Sequence, residues 1–126
     1  MKYTRIVATS EGSSRFEDAE MESSVQSIGE GVPPMNVSAL INTSGAVFLE
    51  DLQGPGGGVF HVTPMRVLVV ITAGRISVET GDGERREFGV GDVIQVEDTA
   101  GKGHLSAPVT DGVRMVMLLL ADGEPQ

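Results

Sequence analysis

Cysteine is absent from all 126 residues, so disulfides, thiolate metal sites and a cysteine nucleophile are excluded. Aromatic residues are scarce, with four Phe, one Tyr and no Trp, which leaves Val, Leu, Ile and Met to build a core. Positive charge is scarce as well. Nine Lys and Arg against eighteen Asp and Glu give a formal charge of −9, which repels phosphate backbones and anionic leaflets and argues against nucleic acid and membranes as partners. Met1 to Val7 holds no signal-peptide apolar stretch, and the longest apolar run, near the C-terminus, is far shorter than a membrane span. A cytoplasmic protein is the expectation. No window sustains a 3.6-residue period over three turns, which favours short strands over a helical bundle. Neither a G-x-S-x-G elbow nor an H-E-x-x-H helix occurs. Gly54 to Gly58 and Gly101-Lys102-Gly103 lack the spacing and following helix of a phosphate loop.

What is present is glycine, seventeen of them, with six prolines, 40% apolar residues and a mean hydropathy of +0.04. That is one folding domain over residues 1–126, rich in turns. Strand patterns follow one another over Met35–Ile41, Ala46–Leu52, Val59–Thr63, Arg66–Ala73, Arg75–Thr80, Arg85–Phe88, Val93–Glu97, His104–Ala107 and Val113–Leu120. Gly81-Asp82-Gly83 and Gly89-Val90-Gly91-Asp92 mark tight reversals between them. Ahead of these, Lys2–Ala8 reads as an edge strand. Glu11 to Glu30, acidic and poor in apolar residues, reads as an arm or loop that Pro33-Pro34 ends. The expected division is therefore an N-terminal strand and arm over 1–34 and a barrel over 35–120. The fold class is all-β.

Val67 to Ile71 and Met115 to Leu120 are apolar on both faces and need cover on both sides. A homodimer is expected to supply it, or else the N-terminal strand. Strand parity turns Val67, Val69 and Ile71 inward and Arg66 outward towards a subunit contact or an ion pair. Met115 and Met117 share one face.

The chain has two histidines. His61 lies in Phe60-His61-Val62-Thr63-Pro64-Met65-Arg66, after the glycine-rich loop. His104 follows Glu97-Asp98-Thr99-Ala100-Gly101-Lys102-Gly103. This order resembles the cupin superfamily, whose first motif reads G-x5-H-x-H-x3,4-E-x6-G and whose second reads P-G-x5-P-x-G-x2-H-x3-N. The resemblance covers about residues 35 to 120. Counting back from Gly74 aligns the motif's glutamate with Val67 and its two histidines with Thr63 and His61. In the second motif Val90-Gly91 stands for Pro-Gly, and His104 falls two residues beyond the usual spacing. The run through Gly91-Asp92-Val93 and Glu97 to His104 is similar to a bacterial subgroup of small cupins with an E-D-T-x-G-K-G-H signature. That subgroup commonly carries H-x-A-P-x-R-Q at the first motif, where this chain has His61, Pro64 and Arg66 but Thr63 and Val67.

The resemblance implies a cupin-type double-stranded β-helix, a jelly-roll barrel, with His61 and His104 at its site. Cupin metal centres use three imidazoles and a carboxylate for Fe, Mn, Ni or Zn. Here two imidazoles remain, Val67 removes the carboxylate, and Glu97 or Asp98 is a further candidate if the loop folds inward. The cofactor expectation is thus none, or one weakly held divalent metal on His61 and His104. Without a metal, imidazoles in an apolar barrel serve as general acid and base. The leading expectation is an isomerase, cyclase or lyase acting on a small, largely apolar molecule, with His61 and His104 catalytic. Thr63, Val67, Val69, Met115 and Met117 are its expected substrate-binding residues. A non-catalytic ligand-binding or sensor cupin is the second reading and a metal-dependent oxygenase the third.

Overall fold

A computed structural model describes residues 1–121 of the chain, so the last five residues of the expected 1–126 domain lie outside it. Eleven strands are described and no helix: β1 (Lys2–Ala8), β2 (Ser14–Glu20), β3 (Ser23–Gln26), β4 (Met35–Ser38), β5 (Thr43–Glu50), β6 (Val67–Ala73), β7 (Ile76–Glu79), β8 (Arg85–Phe88), β9 (Val93–Val96), β10 (Leu105–Pro108) and β11 (Arg114–Leu120). A six-stranded sheet has the order β2-β1-β9-β6-β11-β5, and a three-stranded sheet the order β10-β7-β8. Strands β3 and β4 pair only with each other.

The two larger sheets share a core because their strands alternate. Val67, Val69 and Ile71 of β6 point at Ile76 and Val78 of β7, with Ile6, Phe16, Phe88, Ile94, Val96 and Val113 completing the cluster. Ile6 and Ile71 are each 1% exposed, which is worth about 1.5–3 kcal/mol per side chain on transfer from water. Leu68, on the opposite face of β6, is only 3% exposed within the single chain. Val70, Val116 and Leu118 beside it are half-buried. The double-sided apolar strands thus find much of their cover in the chain itself. Glycines with positive φ close the turns as the sequence indicates, Gly83 between β7 and β8 and Gly91 between β8 and β9.

Three expectations are corrected. Strand β1 is not an edge: it lies between β2 and β9, antiparallel to the first and parallel to the second. The acidic stretch from Glu11 to Glu30 is not a loop but holds β2 and β3. In β2 Arg15 and Glu17 alternate with Ser14 and Phe16, both buried, and Glu17 is neutralised by Arg5 at 2.9 Å and Arg15 at 2.6 Å. Val59–Thr63 is not a strand; its only ladder contact is one bridge, between His61 and His104. The division at residue 34 falls inside the β3–β4 hairpin, and the large sheet takes two strands from the N-terminal side of it. No helix among the described residues is long and apolar enough to cross a membrane.

Candidate functional site

The bridge places the site. The His61 amide donates to the His104 carbonyl at 2.9 Å, and the His104 amide donates back to the His61 carbonyl at 3.0 Å. Residues that exchange both bonds stand directly opposite, with side chains on the same face. The two rings therefore meet, centroids 4.9 Å apart and planes at 52°. Gly103 makes this approach possible. Its φ is +78°, and a Cβ there would overlap the His61 carbonyl and the Val62 amide. The Thr63 amide extends the zipper to the Asp98 carbonyl at 3.2 Å.

Both rings line a cavity of about 400 Å³ between the two large sheets. Thr63, Val67, Val69, Met115 and Met117 line it too, so all seven candidate residues converge on one space. Its remaining wall is apolar, from Ile6, Ile94 and Val96 on one side to Ile76 and Val78 on the other, with Ser106 as an added hydroxyl. Among the described residues no Lys, Arg, Asp or Glu lines it. His104 is 6% exposed and deep, whereas His61 is exposed at the mouth.

Each ring nitrogen Nδ1 is already bonded. His104 Nδ1 lies 2.6 Å from Asp98 Oδ2, and a carboxylate only accepts, so the nitrogen donates. His61 Nδ1 donates to the Val59 carbonyl at 2.9 Å by the same reasoning. The free nitrogen on each ring is Nε2, a lone pair in the neutral form. Asp98 is 0% exposed, and its second oxygen has no hydrogen-bond partner among the described residues. A carboxylate so buried, bonded to Nδ1, fixes the orientation of the imidazole it faces. The Thr63 hydroxyl donates to the Met65 carbonyl at 2.5 Å, which leaves its oxygen able to accept from a ligand but not to donate.

Asp98 is the residue that sequence reasoning carried only as a metal candidate; its role behind His104 was missed, as was Ser106. Glu97 turns the other way, with Arg5 Nε at 2.6 Å and Arg66 Nε at 3.3 Å on its two oxygens. The hydrogen bond to Glu97 raises Arg5 above its ordinary value despite partial burial. Arg66 thus makes the outward ion pair that strand parity predicts. With Glu97 held by two arginines, Asp98 bonded to His104 and Val67 offering only methyl groups, the cavity's donors are two imidazoles and two hydroxyls. No group of three or more His, Asp or Glu able to hold a metal occurs among the described residues. The residues present do not fit a tightly held divalent metal.

Comparison with known protein families finds no model that matches the chain, and comparison with curated proteins finds no match.

Proposed function

We propose that the chain is a cupin-fold barrel that binds a small, uncharged, largely apolar molecule and transfers protons on it, as an isomerase, cyclase or lyase. The observation that carries this reading is the buried Asp98–His104 pair, 2.6 Å apart, at an apolar cavity. The order of strands, the mixed sheets and the convergence of His61 with His104 support the cupin likeness.

In this reading His104 Nε2 takes a proton from the ligand, and Asp98 stabilises the imidazolium that forms. His61, when protonated, donates a hydrogen bond from Nε2 to an oxygen of the ligand, and His104 Nε2 returns its proton at the second position, so both rings end as they began. Proton out and proton in balance for an isomerisation. An elimination or cyclisation uses the same two groups with a leaving group or an internal nucleophile. Among the described residues the wall holds no Lys or Arg to pair with an anionic ligand, which favours a neutral substrate. A volume of about 400 Å³ lies within the ordinary range for a small-molecule site.

The test uses a probe that reports any base in an apolar pocket. Ring opening of 5-nitrobenzisoxazole, read by absorbance of the phenolate, is expected to be accelerated by the wild type and to fall about 10²–10⁴-fold in His104→Ala. Equal rates in wild type and variant would overturn the base assignment. A second reading, a binding or sensor protein without turnover, is favoured by Val67 and Thr63 standing where the cupin motif has its carboxylate and second imidazole.

A further inference from the structure

The barrel is closed along one side and open along the other. At the closed side Phe16 of β2 meets Phe88 of β8, ring centroids 6.1 Å apart, and Arg86 covers Phe16 at 4.7 Å while its Nη1 binds Asp18 at 2.7 Å. At the other side the large sheet ends in β5 and the small one ends, through the His61–His104 bridge, in residues 59–63. No backbone pairing joins these two edges among the described residues. The apolar side chains that border the slot are wet: Val47, which lines the cavity, is 44% exposed, and Val59 is 72% exposed. All eight residues of β5 are exposed, an unguarded edge of the kind folded proteins cover.

The same chain carries a largely exposed hairpin. Strands β3 and β4 pair only with each other, and a lone two-stranded hairpin is at best marginally stable in water. Nine of the fourteen exposed large hydrophobics among the described residues fall between Val25 and Leu52, seven of them in this hairpin or β5. Neither hairpin strand contains a charged residue, nor do residues 59–63, and β5 has only its terminal Glu50. Seating one against the other therefore desolvates almost no charge on a chain that carries −9 overall. The chain's own hairpin is tied elsewhere. Its base is fixed by bonds from the Met21 amide to the Met1 carbonyl and from the Ala39 amide to the Glu22 carbonyl, beside β1 and β2, while residues 39–42 lead on to β5.

We propose that the slot is filled by the β3–β4 hairpin of a second copy, so that the working unit is a homodimer in which each chain walls the other's cavity. Met35 and Val37, which share one face of the hairpin by register, lie over the slot and shield His61. This proposal stands on packing and does not depend on the proton-transfer reading.

The test measures mass and His61 reactivity on the full chain. Wild type is expected to sediment at micromolar concentration with twice the 13.2 kDa of one chain. Diethylpyrocarbonate should modify His61 slowly, as read by peptide mass spectrometry. Met35→Asp with Val37→Asp should give a monomer whose His61 reacts at least tenfold faster. Because the hairpin pairs with no other strand, the variant is expected to keep its circular dichroism. If it does not, wild-type hydrogen exchange decides, since residues 23–38 should exchange more slowly in concentrated than in dilute protein. A wild-type mass of one chain overturns the proposal. So does a dimer that survives these changes but is split by Phe48→Asp, which would place the contact on the back of the large sheet, or hairpin exchange that ignores concentration.

Discussion

His61 and His104 form a cross-strand pair: each amide donates to the other's carbonyl, at 2.9 and 3.0 Å, and the rings stand 4.9 Å apart at the edge of an apolar cavity. Forty-two intervening residues fold so that this one bridge brings the only two imidazoles of the chain together. The stability and chemistry of the site both depend on it.

Gly103 is the first place to break it. At φ +78°, and against the His61 carbonyl, any side chain is strained and collides with backbone. Gly103→Ala is expected to cost at least about 1–3 kcal/mol and to lower the thermal midpoint by at least several degrees in a domain of this size. Gly12→Ala, also at positive φ but with open space around its Cβ, should cost less.

Asp98→Asn changes little in shape and much in chemistry. An amide at position 98 donates as well as accepts, so the His104 ring is free to place its proton on Nε2 and lose its lone pair to the cavity. The rate of the 5-nitrobenzisoxazole reaction should fall about 10²-fold or more while apolar dye binding in the cavity is retained. A loss of dye binding in parallel would mean that Asp98 holds the fold and not the ring.

Val67 and Thr63 line the same cavity as both histidines. Thr63→His with Val67→Glu therefore assembles three imidazoles and a carboxylate, the donor set that divalent metals prefer. Elemental analysis after dialysis should find about one equivalent of Zn or Ni in the double variant and far less in wild type. Equal metal content in the two would contradict the placement of these side chains around a common centre.

Much of this was legible in the sequence, and the failures have physical causes. Parity placed Val67, Val69 and Ile71 inward because a strand alternates whatever lies around it, and the turns at Gly83 and Gly91 announced themselves by residue type. Strand β2 was hidden because Glu17, Asp18 and Glu20 swamp a pattern carried by Ser14 and Phe16 alone, and because the arginines that neutralise Glu17 lie on β1 and one residue before Phe16. Asp98 was hidden for another reason. It follows the last residue of β9 by two positions, where the ladder no longer fixes side-chain direction, so Glu97 and Asp98 looked equivalent until one met two arginines and the other met His104.

The turn between β7 and β8 gives a pH prediction independent of the site. The Thr80 hydroxyl at 2.6 Å and the Glu84 amide at 3.1 Å donate to Asp82, and the Thr80 bond chiefly lowers its carboxyl below the ordinary value. A carboxyl lowered in the folded state stabilises above its unfolded value, near 3.8, and that contribution is lost as pH falls through the folded value. Thermal melts of wild type and Asp82→Asn should therefore differ more at pH about 7 than at pH about 2, with wild type the more stable at the higher pH.

The central claim is that both imidazoles offer Nε2 to the cavity while Nδ1 is held, His104 by Asp98 and His61 by Val59. A long-range nitrogen–proton correlation spectrum at pH about 8, where free imidazole is neutral, reads this directly, because two histidines give only two patterns. The account predicts the Nδ1–H tautomer for both rings, with the Nε2 signal of His104 moving when a neutral apolar ligand is added. An Nε2–H tautomer at His104, or a His104 signal that ignores every ligand that binds, would contradict it.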